Sequence, residues 1–222
     1  MSDCSIIVFA KAPVPGQVKT RLAESLGASG AARLYERLAF RTLQISFNSG
    51  VGPVALWCAP AADHPFFKRC ADHFKMELRT QPQGDLGRRM AGAFQETLNG
   101  VTAVLLIGTD CPSLTEDDLR EAALAVEKGA DAVIGPTEDG GYVLMGLRTL
   151  ASPLFDSVPW GTEKVLAKTR HRLRKLGWRW HELPVRWDVD RPEDVKRMIA
   201  EGYSTMVPDD SPGIIAPRGD FL

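Results

Sequence analysis

Residues 101–118 read VTAVLLIGTDCPSLTEDD. The apolar stretch Ala103-Val104-Leu105-Leu106-Ile107 is continuous instead of alternating, the pattern of a strand covered on both faces in a parallel sheet. Asp110 follows at its carboxyl end. In open α/β sheets that edge binds ligands, because the loops leaving adjacent strands diverge there and open a crevice. Pro112 stops the strand pairing. Thr115, followed by Glu116-Asp117-Asp118, supplies an N-cap and an acidic first turn that suits the helix dipole. Asp110 itself reads two ways, as a turn or cap residue or as a metal or ligand contact.

Working outward, the chain shows an α/β order. Ser5–Ala10 is a compact β-branched run and reads as the first central strand. The loop after it, KAPVPGQVKTRL, contains Pro13, Pro15 and Gly16, and carries Lys11, Lys19 and Arg21 with no acid before Glu24. Three cations on a loop at the ligand-binding edge make either a solvated basic loop or a phosphate site, and their position favours phosphate. Gly16-Gln17-Val18-Lys19-Thr20 lacks the first glycine of a Walker A loop, and no GxGxxG is present. Helical spacing of Leu34, Leu38, Leu43 and Phe47 marks a helix over 28–47. Strands are expected at 52–57 and 76–79, with a helix between them at 64–74 that has Pro65 at its start.

Gln83-Gly84-Asp85-Leu86-Gly87-Arg88-Arg89-Met90 then leads into a helix through Leu98. Asp85 reads as an N-cap, and the two glycines also allow backbone to approach a flat ligand such as a base or ribose. Beyond the helix at 115–127, Ala132–Pro136 and Val143–Leu147 flank Thr137-Glu138-Asp139-Gly140-Gly141-Tyr142, a hairpin turn that can also set Glu138 or Asp139 beside the crevice. The helix expected from Trp160 to Leu176 carries Lys168, Arg170, Arg172, Arg174 and Lys175 around its circumference, as a solvated face does. A late strand at 178–183 precedes Trp187-Asp188-Val189-Asp190-Arg191-Pro192. In extended chain Asp188 and Asp190 project to one side, roughly 7 Å apart at their α-carbons. They serve either as a cap pair for the next helix or as acids bracketing magnesium or manganese; one cap needs one acid, which favours the metal.

Composition narrows the function classes. With 222 residues the chain suits one α/β domain, read as residues 1–205, with an irregular tail rich in Pro, Gly and Asp over 206–222. A formal net charge of −1 gives no polyanion-coating surface, so nucleic acid is not an expected partner. Cys4, Cys58, Cys70 and Cys111 show no CxxC spacing and the four histidines are scattered, which argues against structural zinc and for reduced thiols. Cys111 beside Asp110 is either a nucleophile or a small residue filling a tight loop, and no base stands next to it. The apolar run at 6–10 is too short for a signal peptide, and none approaches the ~20 residues of a membrane helix, so a cytoplasmic protein is expected. Trp57, Trp160, Trp178 and Trp180 either line an acceptor pocket or pack in the core.

Five separated segments, FAKAPVPGQVKTRL, GDLGRRM, GTDCPSLT, GPTEDGGYVLMGL and WDVDRPEDV, occur in the order of one known pattern. Together they resemble the bacterial family of GT-A-type glycosyltransferases named for its association with radical-SAM and selenocysteine-domain proteins. The resemblance runs to about residue 200. It implies a nucleotide-diphospho-sugar transferase fold, a mainly parallel mixed sheet between helices. It also implies that Lys11, Gly16, Lys19 and Arg21 belong to a phosphate-binding loop, that Gly84, Asp85 and Arg88 face the nucleotide, and that Asp110 takes the metal role of a DxD motif. Asp188 and Asp190 correspond to a late acid pair that holds Mg2+ or Mn2+ in related nucleotidyltransferases. Gln17 stands where the family often has a basic residue, Arg191 where Thr is common, and Gly108-Thr109-Asp110 offers one acid where many glycosyltransferases offer two.

On this resemblance the expected activity is metal-dependent glycosyl transfer from a nucleotide sugar to a small acceptor, with Asp110, Lys19 and Arg21 catalytic. The alternatives are nucleotidyl transfer from a nucleoside triphosphate with pyrophosphate release, and a non-catalytic nucleotide-binding protein. The phosphatase reading of Asp188-Val189-Asp190 fails, because that nucleophile motif follows an apolar first strand and this one lies near the end of the sequence.

Overall fold

The structure, a computed structural model, describes residues 3–208. Seven strands form one sheet: β1 (Cys4–Lys11), β2 (Val54–Ala59), β3 (Glu77–Thr80), β4 (Ala103–Ile107), β5 (Ala132–Pro136), β6 (Tyr142–Leu147) and β7 (Trp180–Glu182). Their order across the sheet is β3-β2-β1-β4-β6-β5-β7. All run parallel except β6, which pairs antiparallel with both β4 and β5. Six helices pack around them: α1 (Ala23–Ser49), α2 (Pro65–Phe74), α3 (Leu86–Thr97), α4 (Glu116–Glu127), α5 (Val165–Leu176) and α6 (Pro192–Met198). This is the mixed, mostly parallel sheet flanked by helices that the resemblance implied.

The continuous apolar runs of β1 and β4 are explained by two cores. Alternate residues of β1, Ile6 and Val8, face α1, α2 and α4 in one cluster, while Ile7 and Phe9 face α3 and α5 in the other. A third cluster matters more for the site. There Leu22, Leu26, Leu34 and Leu38 of the first loop and α1 bury Trp187, Val189, Val195 and Met198. Val189 is fully buried between its two acids, so the backbone carrying Asp188 and Asp190 is anchored to α1 by burial of apolar surface.

Several boundaries differ from the sequence expectations for local reasons. α1 is interrupted at Gly27, whose backbone is non-helical, so regular helix resumes at residue 28 as the spacing predicts. β2 starts at Val54, two residues late, after Gly52 and Pro53 have passed the end of β1. α5 starts at Val165, not Trp160, because Thr162 turns its hydroxyl back to the Pro159 carbonyl at 2.7 Å. Its basic face is partly spent on structure: Arg170 makes a two-point pair with Glu182 and Arg172 donates to the Leu154 carbonyl. Met206 and Val207 are buried, and Arg37 donates to the Thr205 and Val207 carbonyls at 2.9 Å each, so packed chain continues past residue 205. The remainder of the expected tail, 209–222, lies outside the described residues.

Candidate active site

Four loops meet at the carboxyl edge of β1, β4 and β5. The one after β4 is held at both ends. Thr115 caps α4: its N–H and hydroxyl donate to Asp118 at 2.8 and 2.9 Å, and its hydroxyl accepts from the Asp118 N–H. This is a reciprocal capping box. Asp110 is therefore not the cap. Asp118, almost fully buried, also receives both arms of the Arg186 guanidinium at 2.6 and 3.0 Å. That bidentate pair ties the β4 loop to the late acid segment. Val189 N–H donates to the Asp110 carbonyl at 2.9 Å, so the two acid loops also touch through backbone.

Lys19 closes this arrangement. Its backbone is left-handed, φ 47°, a conformation that costs a residue with a side chain energy and persists where its surroundings enforce it. The ammonium lies 2.6 Å from Asp110 Oδ1 and 2.5 Å from the Val189 carbonyl, with the side chain only 5% exposed. Asp110 is 51% exposed and open to the crevice. The expected phosphate cation is thus committed to the protein's own acid loop. Arg21 likewise pairs with Asp190, at the exposed rim.

Neither late acid caps α6, because Asp194 accepts from the N–H groups of Asp190 and Arg191 at 2.9 and 2.7 Å. Asp188 points inward instead. Its Oδ1 is shut from solvent with no hydrogen-bond partner among the described residues. Burial and the charges of Asp110, Asp139 and Asp190 push its carboxyl up to about 7, against the pull of Lys19. Asp139, which the sequence offered first as a turn residue and also as an acid beside the crevice, is both. It sits at the β5–β6 hairpin tip, its Oδ1 accepting from the Thr137 hydroxyl at 2.6 Å and the Gly141 N–H at 2.9 Å. Thr137 bridges to Arg186 in the late segment, which brings that tip beside Asp188. The signal lay in the sequence, but Asp-Gly-Gly between apolar runs reads first as a turn, and it is one.

Beside the acids, a cavity of about 290 Å³ opens at the ends of β1, β2 and β3. Lys11, Gln17, Pro60, Gln81 and Arg89 line it. Gln81 is fixed by donating to the Ala10 and Trp57 carbonyls at 3.2 and 2.9 Å, and Arg89 donates to the Gly84 carbonyl and to Gln81 Oε1. The cavity and the acid loop share Tyr35, whose hydroxyl accepts from the Lys11 N–H at 2.8 Å and the Thr109 hydroxyl at 3.0 Å. Burial and the Asp110 charge raise the Tyr35 phenol well above its usual range, so it stays protonated.

The structure thus brings Lys11, Lys19, Arg21, Asp110, Asp188 and Asp190 to one edge. Gly16 is exposed next to Gln17 on the same loop. Asp85 caps α3 by accepting from the Arg88 N–H at 2.9 Å, and Arg88 is exposed while Arg89 lines the cavity. One step of helix phase separates the two arginines. Of the glycines in that segment, Gly87 serves a close approach, but to this chain: a β-carbon there would stand 2.7 Å from the Phe155 carbonyl. Cys111 is buried beside Ser113, and burial raises its thiol to about 11, which fits loop filling and not nucleophilic attack. Trp57 is core, packed with Phe9. Among the described residues no three His, Cys, Asp or Glu side chains converge as a complete metal-ligand set, and no helix is long and apolar enough to cross a membrane.

The family model described as "Uncharacterized protein conserved in bacteria (DUF2064)" matches residues 42–162, more than half of the sequence. A crystal structure from Desulfovibrio desulfuricans G20, of a protein provisionally designated a nucleotide-diphospho-sugar transferase, is 30% identical, with a TM-score of 0.82 over 96% of this chain and 92% of that one. A Methanothermobacter nucleotidyl transferase matches at 15% identity and TM-score 0.56, over 91% and 98%. Glucosyl-3-phosphoglycerate synthase from Mycobacterium tuberculosis, in complex with Mn2+, UDP and glucosyl-3-phosphoglycerate, matches at 12% and 0.50, over 95% and 82%. The last two likenesses concern the fold. No curated protein matches the chain.

Proposed function

The chain belongs to the DUF2064 family, and on that premise we propose that it is a nucleotide-dependent transferase that moves a glycosyl group from a nucleotide sugar to a small-molecule acceptor. The observation that carries this reading is the buried, unpartnered oxygen of Asp188. A buried carboxylate oxygen without a partner, facing Asp110 and Asp139, is a place for a divalent cation. Oxygen donors of this kind suit Mg2+ or Mn2+, and magnesium is commonly held by one or two carboxylates together with substrate phosphates. A site without three converged protein ligands fits that manner of binding.

Asp110 and Asp188 would hold the ion, with Asp190 outside them keeping Arg21 at the rim. Bound there, the ion supplies neutralisation of charge on the departing phosphate. Lys19 orients Asp110 by binding one of its oxygens and leaves the other for the crevice. Lys11 and Arg89 place positive charge in the cavity beside the acids, where the nucleotide and its phosphates would lie. Preorganised charge of this sort costs no rearrangement during reaction. The finer family assignment, to glycosyltransferases associated with radical-SAM and selenocysteine-domain proteins in the cytoplasm, goes with this reading.

One observation favours a second reading. A single acid ends β4, as in the nucleotidyltransferase branch of the fold, and the same arrangement would serve attack on the α-phosphorus of a nucleoside triphosphate. Asp110→Asn separates both readings from a purely binding protein. We expect the variant to keep its circular dichroism spectrum and lose metal-dependent turnover of nucleotide sugars or triphosphates by about a hundredfold. Turnover that survives the change removes the metal role of Asp110.

A further inference from the structure

A larger cavity, about 840 Å³, lies between α1, α2 and the turn at Ser204–Met206. Its volume falls in the range of small-molecule sites. Phe40, Phe66, Cys70, Tyr203 and Met206 give it an apolar floor and wall. Arg37, Arg41 and Arg69 border it, with Glu36 as the one acid among the lining residues. Glu36 is taken by Arg69, at 3.3 Å. Arg37 donates to the Thr205 and Val207 carbonyls, and Arg41 donates to the Pro112 and Leu114 carbonyls while its guanidinium stands 5.2 Å from the centre of the Tyr203 ring. Carbonyls orient these guanidinium groups without cancelling their charge. The groove is therefore apolar within and carries two uncompensated positive charges at its edge.

We propose that this groove binds a small amphipathic anion, a carboxylate carried on a hydrocarbon body. The chemistry selects that class on both counts. A hydrocarbon body removes apolar surface from water, and a carboxylate answers the arginines with charge-assisted hydrogen bonds. A cation of the same shape is repelled, and a neutral chain leaves the guanidinium groups partly desolvated with no counter-charge. The occupant would also lie one side chain from the acid loop, since Arg41 reaches from the groove to the carbonyls following Asp110. The inference stands on the groove alone and not on the transfer reaction.

Calorimetric titration of the full chain with decanoate, below its micellar concentration and at fixed ionic strength, tests it. The expected result is one saturable site, with decanol binding about tenfold more weakly. Arg41→Gln, which removes one of the two guanidinium groups held only by carbonyls, should weaken decanoate by about the same factor and leave decanol unchanged, with an unchanged circular dichroism spectrum. No saturable site for decanoate would overturn the proposal, as would decanol binding equally well or Arg41→Gln binding decanoate like the parent.

Discussion

The ammonium of Lys19 is almost closed off from water, yet it is compensated on two sides, by the carboxylate of Asp110 and the carbonyl of Val189. Asp188, next to Val189 in the late segment, has no such counterpart on Oδ1, and its carboxyl rises to about 7. An acid with a raised folded-state value holds its proton in the native state after the unfolded chain has released it. Its contribution therefore falls as pH rises from about 4 to 7, and the cost is complete above that. A shift of this size sets a ceiling of about 4 kcal/mol, which partial solvation reduces to about 2. Asp188→Asn should be more stable than the parent at pH 8 by about 2 kcal/mol and lose that advantage at pH 4. Urea unfolding at both pH values reads the difference, and an advantage independent of pH would contradict the buried-charge account. The Asp-x-Asp spacing was legible in the sequence. That Val189 between the acids is buried while Asp190 turns to Arg21 was not, because it depends on residues nearly 170 positions away.

The hairpin between β5 and β6 shows how one element serves a turn and a site together. Its turn was evident from Asp-Gly-Gly, and Asp139 serves that turn through Oδ1 while adding to the field on Asp188. Gly140 has φ +83°, and a β-carbon there would stand 2.3 Å from the carbonyl oxygen of Glu163. The Gly140 carbonyl in turn accepts from the Leu166 N–H at 2.9 Å, so the tip is fastened to the start of α5. Gly140→Ala should therefore cost about 2–4 kcal/mol, by backbone strain and the forced shift at Glu163. Thermal or urea unfolding checks this, and a loss under about 0.5 kcal/mol would show that the tip is free to move. The central strands were legible because their buried runs are continuous, and α2 because His64 and Pro65 mark its start, His64 accepting from the Phe66 N–H. The start of α5 was not, since Trp160-Gly161-Thr162-Glu163 forms a hydroxyl-fastened turn that resembles a helix cap in sequence.

At the scale of the whole molecule, one reversed strand in a parallel sheet places the first loop, the acid loop, the hairpin tip and the late acids on a single edge. The five motifs of the sequence are scattered over about 190 residues and meet, or come close to meeting, only through that topology. The amphipathic groove beside α1 had no motif to announce it, because its lining is contributed by two helices and a turn far apart in sequence. The central claim is that this edge holds a divalent ion together with a nucleotide-activated donor. Thermal stability measured against a panel of nucleotide sugars and nucleoside triphosphates, each with and without Mg2+ or Mn2+, tests it most directly. A ligand that binds only the folded state at a hundredfold excess over its Kd raises stability by about 2.7 kcal/mol. The account predicts such a rise for one nucleotide sugar, in the presence of metal and not in its absence. No stabilisation by any donor, or stabilisation indifferent to metal, would contradict it.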